Sequence, residues 1–212
     1  MGSFFVIIGV SKIYLMQLRP HQEKAINAMS KHNKGQVIVP TGGGKTICMI
    51  QDAIEQFKSD RLKTIVVVAP RILLANQLCE EFLEFIDDVD VLHVHSGETH
   101  HDSTTKSKVI EEWYWASKKH QLIFTTYHSL HKIQNATAML PDTVYFDEAH
   151  NAVQKNFIEA VEHHSMYVVR NYFFTATPKH SFTPFKTGMN DTDIFGGVIC
   201  NVGAPKLVRQ GY

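Results

Sequence analysis

Short apolar runs alternate along the chain with longer stretches of helical spacing. The runs are Gln36–Val39, Thr64–Ala69, Val89–Val94, Leu122–Thr125, Val144–Phe146 and Tyr167–Phe174. They are rich in Val, Ile, Phe and Tyr, as strands buried on both faces are. Between them, His21–Ser30, Lys45–Phe57, Ile72–Phe85, Thr105–Ala116 and Asn151–His163 carry helical spacing. Strand and helix in alternation predict an α/β fold, a mostly parallel sheet with helices on both faces. In such sheets ligands bind where strands end and helices begin. Gly97–Ser107 is polar and hydroxyl-rich and reads as an exposed loop. After Lys179, Pro184, Gly188, Asn190, Gly196 and Gly197 punctuate the pattern, and Val198–Val202 reads as one last strand.

Composition bounds the picture without deciding the chemistry. With 212 residues and 44% hydrophobic content, the chain has material for one full core and no second domain of equal size. Lys+Arg and Asp+Glu both number 21. A formally neutral chain gives no compositional support for a polyanionic partner, so any such partner must be argued from motifs. Cys48, Cys79 and Cys200 are scattered with no CxxC, which suggests buried thiols in a reducing interior, the cytoplasm or the inside of a host cell. The apolar stretch Phe4–Val10 is much shorter than the roughly 20 residues needed to cross a bilayer. It also lacks a basic leader and a small-residue cleavage site. Met16 stands directly before Gln17-Leu18-Arg19-Pro20, so residues 1–15 read as an N-terminal extension.

The strongest chemical signal is Val37-Ile38-Val39-Pro40-Thr41-Gly42-Gly43-Gly44-Lys45-Thr46. A buried strand runs into three glycines, and Lys-Thr then opens a helix. Glycines let backbone approach phosphates closely, and the free N–H groups and helix dipole favour an anion. In this pattern Lys45 reaches the β- and γ-phosphates and Thr46 ligates Mg²⁺. Val39 stands where the strict pattern has Gly, so the match is to a Pro-Thr-Gly-Gly-Gly-Lys-Thr variant. The plainer alternative is an ordinary glycine turn before a helix.

A second signal lies a hundred residues on. Val144-Tyr145-Phe146 ends in Asp147-Glu148-Ala149-His150. Two acids at the end of a buried strand are costly unless a cation or hydrogen-bond donors compensate them. Asp147 reads as the Mg²⁺ partner through water, and Glu148 as the base or positioner of an attacking water. The alternative is a solvated helix start, where acids favour the dipole.

Taken in order, these features resemble the first motor lobe of superfamily 2 helicases, over roughly Met16 to Pro178. Leu18-Arg19-Pro20-His21-Gln22 looks like the adenine-side motif of the branch that holds bacteriophage recombination helicases, the repair translocase XPB and restriction-enzyme motor subunits. The resemblance implies that Gln22 bonds the adenine with help from Arg19; alone, the string is also a helix start with Pro in its first turn. Ala69-Pro70-Arg71 and Thr125-Thr126-Tyr127-His128-Ser129-Leu130 resemble strand-end motifs that meet the nucleic-acid backbone, through Pro70, Arg71, Thr125 and Thr126; ordinary turn chemistry is the alternative for each. Phe174-Thr175-Ala176-Thr177-Pro178 resembles the Ser/Thr-Ala-Thr motif, which implies that Thr175 and Thr177 couple Asp147 and His150 to strand grip.

What the resemblance implies is a RecA-like domain over residues 16–203 that uses ATP and Mg²⁺ on nucleic acid, with DNA favoured over RNA through the adenine motif. Lys45, Asp147, Glu148 and His150 would be catalytic, and Thr41, Gly42, Gly43, Gly44, Lys45 and Thr46 would hold nucleotide. Residues 204–212 look like a connector toward a second lobe, which carries the arginine finger in the family. Without that lobe, the alternatives are a nucleotide-dependent DNA-binding module that does not turn over, or the motor part of a restriction enzyme. A P-loop kinase or small GTPase explains neither Asp-Glu-Ala-His nor Thr-Ala-Thr.

Two clusters carry less. His93, His95, His100 and His101 lack Cys or carboxylate partners at metal-ligand spacing and read as a polar loop. Trp113, Tyr114 and Trp115, flanked by Glu111-Glu112 and Lys118-Lys119, read as a helix packing onto the sheet rather than as base-stacking rings.

Overall fold

The computed structural model describes residues 17–203, and the expected extension over residues 1–15 and connector over 204–212 lie outside the described residues. In chain order it forms α1 (Pro20–Lys31), β1 (Lys34–Ile38), α2 (Lys45–Gln56), β2 (Thr64–Ala69), α3 (Ile72–Leu83), β3 (Val89–Val94), β4 (Asp102–Ser103), α4 (Ser107–Ala116) and β5 (His120–Thr126). It continues with α5 (Leu130–Gln134), β6 (Thr143–Phe146), a 3-10 turn (Ala149–Asn151), α6 (Ile158–Tyr167), β7 (Arg170–Thr175), α7 (Thr192–Phe195) and β8 (Val198–Asn201). Among the described residues the strands make one sheet in the order β4-β3-β5-β2-β6-β7-β1-β8. Every ladder in it is parallel.

The strand residues divide between the two faces with the period of two that a pleat imposes. Ile65, Val67, Ala69, Tyr145 and Phe174 pack with residues of α1, α2 and α3, among them Met29, Met49 and Phe82. Val66, Val68, Val144, Phe146 and Phe173 pack with the opposite layer, through Ile110 of α4, Ile133 of α5, Val161 of α6 and Phe195 of α7. Because both faces are covered, β2 and β6 are buried at every position. At the entry ends of β6 and β7 a polar network sits under α2. Arg170 makes a two-pronged contact with Asp52 at 2.7 and 2.9 Å, and Tyr145 Oη also donates to Asp52. Gln56 bonds both Asp52 and Thr143 there, so the buried charges are compensated.

Three expectations shift. The helix expected over Asn151–His163 begins only at Ile158, because the preceding residues close i→i+3 bonds, Gln154 N to Asn151 O and Phe157 N to Gln154 O. The Asn151 side chain donates to the Glu148 carbonyl, a local bond that competes with helix. Tyr167 accordingly ends α6, and the last long strand starts at Arg170. His93 lies in β3 and His95 in the bend just after it, and neither belongs to an exposed loop. Both are buried, and His93 Nδ1 lies 3.0 Å from His95 Nε2 while its ring stacks on Phe124. Trp113 and Tyr114 pack against the core as expected, but Trp115 is largely exposed and donates Nε1–H to the Ala138 carbonyl at 3.0 Å. The three cysteines are free and buried.

Candidate functional site

The sheet places three strand ends side by side: β1, which leads into the glycine loop, then β7, then β6, which leads into the acids. Val39 N donates to the Thr175 carbonyl at 3.1 Å, so the loop leaves the sheet already tied to its neighbour. Gly43 N donates to Pro40 O at 2.9 Å and closes the turn. Gly42 and Gly44 hold φ of +76° and +78°, the left-handed region that glycine enters without a Cβ penalty. At Gly44 a Cβ would also lie 2.2 Å from Gln22 Nε2, so the end of that side chain would have to move. Among the described residues, the amides of Gly44, Lys45 and Thr46 have no intrachain acceptor. They are the orphan donors of the first turn of α2, pointed where an anion would bind.

α1 braces this loop from behind. His21 Nε2 lies 2.7 Å from the Gly43 carbonyl, and His21 is buried. Gln22, also buried, accepts the Arg19 amide at 2.8 Å and presents its amide nitrogen toward Gly44. Pro20 opens the helix at its first position, so the helix-start reading of this string holds alongside its place at the loop. Sequence reasoning singled out Arg19 and Gln22 and passed over His21. Its only signal was its position between Pro20 and Gln22.

On the far side, Asp147 N donates to the Val68 carbonyl and the Asp147 carbonyl accepts from buried Tyr127 Oη, each at 2.8 Å. Burial, and then the neighbouring Glu148 charge, push the Asp147 carboxyl up to about 6, while Lys45 pulls it down. Glu148 has φ 44° and ψ 54°. A left-handed conformation costs a side-chain-bearing residue on the order of 1–2 kcal/mol and is typical of strained functional turns. The turn brings the Glu148 carboxylate across to the cradle, where Oε1 meets Lys45 Nζ at 2.9 Å. His150 Nδ1 lies 3.5 Å from the other Glu148 oxygen and 3.0 Å from Thr175 Oγ1. Thr175 Oγ1 also accepts the Thr177 amide at 3.1 Å. The glycine loop, Lys45, the acid pair and the Thr175 hydroxyl therefore form one connected set.

The arrangement can hold a polyphosphate on backbone amides and Lys45, and a hard cation on the oxygens of Thr46 and Asp147. Among the described residues no group of three or more His, Cys, Asp or Glu side chains could hold a metal alone. A cation shared with substrate phosphates needs only one or two carboxylates. The raised Asp147 carboxyl fits such a cation, which would stabilise its charged form.

Farther along the same edge, Arg71 is exposed at the N-cap of α3 with Pro70 half-buried before it. Thr126 is buried at the end of β5. Thr125 departs from its expected part. It is fully buried and its hydroxyl donates to the Val94 carbonyl at 2.7 Å, so that hydroxyl faces the sheet rather than a strand of nucleic acid.

Known proteins agree with this architecture. The family described as Type III restriction enzyme, res subunit, matches residues 15–180. No curated protein matches the chain. Among solved structures, a nuclease-deletion mutant of the Type ISP restriction-modification enzyme LlaGI, in complex with a DNA substrate mimic, is 22% identical with a TM-score of 0.77. The likeness covers 92% of this chain and 21% of that one. The Hef helicase domain of Pyrococcus furiosus is 19% identical with a TM-score of 0.65, over 91% of this chain and 40% of that one. The UvsW helicase from bacteriophage T4 is 14% identical with a TM-score of 0.55, over 85% of this chain and 58% of that one. At these identities the structures speak to fold, and the chain spans only about a fifth of LlaGI. The family match, covering most of the chain, goes further: this chain belongs to the family of the Type III restriction enzyme res subunit, with the RecA-like fold of a superfamily 2 helicase's first lobe.

Proposed function

We propose that residues 16–203 form the ATP-binding lobe of a nucleic-acid-dependent ATPase, a helicase or translocase motor that acts on DNA once joined to a second lobe. The observation that carries this is the 2.9 Å contact between Lys45 of the glycine loop and Glu148 of the acid pair, which brings two motifs a hundred residues apart into one site. Lys45 and the amides of Gly44–Thr46, with Gly42 and Gly43 shaping the turn and Thr41 at the rim, would hold the phosphates of ATP. Thr46 and Asp147 would hold Mg²⁺, which when bound neutralises charge on the phosphates. Glu148 would orient the attacking water and take its proton. The Lys45–Glu148 pair must open for both tasks: as the ammonium turns to phosphate, the carboxylate is released toward water. His150 would pass that change to Thr175. Gln22 and Arg19 would flank the base, and Pro70, Arg71 and Thr126 would lie on the nucleic-acid track.

DNA is favoured by the Leu18–Gln22 string and by two similar structures, LlaGI and LlaBIII, that were solved on DNA or a DNA mimic. The family match favours a restriction-enzyme motor as the parent activity. Among the described residues no helix is long and apolar enough to cross a membrane.

The test is titration with a fluorescent ATP analogue and ATP hydrolysis with and without single-stranded and duplex DNA. Lys45→Ala should lose analogue binding by at least tenfold along with any turnover, and Glu148→Gln should bind analogue while losing turnover. Wild-type binding and hydrolysis in Lys45→Ala would rule this site out.

A further inference from the structure

Two residues beyond Thr177 the chain leaves the site as a loop, residues 179–191, before α7. Its base is pinned. Met189 N donates to the Lys179 carbonyl at 2.6 Å. The Asn190 side chain accepts the Ser181 amide at 2.7 Å and donates to the Ser181 carbonyl at 2.8 Å. Met189 is fully buried, and its carbonyl accepts Gln36 Nε2 at 2.7 Å, which ties the base to β1. The tip is the opposite. Phe182 is 88% exposed and Phe185 is fully exposed, two large rings held in water by a well-bonded base. Phe185 also holds φ 72°, an outlier for a bulky side chain.

Beside the tip lies a cavity of about 440 Å³, shared with the segment that follows the 3-10 turn. Lys155, Lys179, Lys186, His180, Ser181 and Thr187 line it, and no carboxylate does. Among the described residues none of these lysines makes an ion pair. Uncompensated cations around a concave site favour a polyanion. Flat exposed rings next to them favour unpaired bases, whose faces a duplex keeps stacked inside.

We propose that this loop is a second grip for single-stranded nucleic acid, with Lys155, Lys179 and Lys186 on the phosphodiester backbone and Phe182 and Phe185 stacked on bases. It rests on the reading of the chain as a motor lobe, and adds to it a contact apart from Arg71. The grip also has a route to the nucleotide site. The loop continues directly from the segment whose Thr177 amide bonds Thr175, and Thr175 bonds His150.

Fluorescence anisotropy on the whole chain tests this, with a labelled oligo-dT of about 20 nucleotides and a duplex of the same length over a salt series. Phe182→Ala with Phe185→Ala should weaken oligo-dT binding on the order of tenfold or more and leave the duplex unchanged. Lys179→Ala with Lys186→Ala should lower the slope of log affinity against log salt by about 1.4, two contacts at about 0.7 each. All four positions line the loop or its cavity and none lies in the core, and unchanged binding of the fluorescent ATP analogue confirms that each variant is folded. If both double variants hold oligo-dT like the unaltered chain, the grip is overturned; the motor reading then survives if Arg71→Ala weakens binding. If the unaltered chain binds neither probe, the grip is again overturned, and nucleotide binding through Lys45 decides the motor reading separately.

Discussion

His21 sits where a single side chain can set the shape of the glycine loop. Its ring nitrogen meets the buried Gly43 carbonyl at 2.7 Å, in the middle of the glycine loop. Leaving that buried carbonyl without a partner costs about 1–3 kcal/mol, and the loop can recover it only by shifting. His21→Phe should therefore weaken fluorescent ATP analogue binding by about tenfold, while His21→Gln, which can still donate, restores much of it. Equal affinity in all three would reduce His21 to helix packing. This residue was not legible in advance, because its partner is a backbone carbonyl and no side-chain pattern reports one. Lys45, Thr46, Asp147 and Glu148 could be singled out as candidates, and found close together, because each belongs to a local string whose chemistry is explicit. The left-handed backbone of Glu148 was not, since nothing in Asp-Glu-Ala-His announces it.

Among the elements, β7 has the position that matters most. It lies between β1 and β6, with Phe174 beside Val37 and Phe173 beside Phe146. Its last residue, Thr175, bonds His150 and receives the Thr177 amide. Thr175→Ala with Thr177→Ala should leave analogue binding within about twofold while lowering DNA stimulation of ATP turnover severalfold, on the order of one lost hydrogen bond. Unchanged stimulation would remove β7 from the coupling path. The central strands could be read from sequence because burial on both faces leaves continuous apolar runs. The segment 151–157 could not: its apolar spacing is helical, but the Asn151 side chain and i→i+3 turns hold it out of the helix. α5, at five residues, is too short to carry a period.

For the molecule as a whole, a net charge of zero concealed both the basic cavity and the acid pair, because composition averages over position. Acid sensitivity is set by buried groups instead. Burial first, and then neighbouring histidines, lower His93 to about 4; burial lowers His164 to about 4 against a bond to the Ala160 carbonyl. Both are neutral in the fold and free to protonate near 6.5 when unfolded. Their stabilising contribution is complete above pH 6.5 and is lost as pH falls toward 4. Asp147, raised to about 6, acts in the opposite direction over the same range, so a single substitution is the cleaner measure. Urea unfolding at pH 7.5 and 4.5 should show a smaller loss in His164→Gln than in wild type, and equal losses would assign the acid sensitivity elsewhere. The sheet order has a consequence in time as well as in space. β1 is made early, yet its partners are residues 171–175 and 198–201. On a ribosome the strand that carries the glycine loop must wait for nearly all of the described residues to emerge before both its neighbours can pair with it, so the glycine loop is seated late in folding.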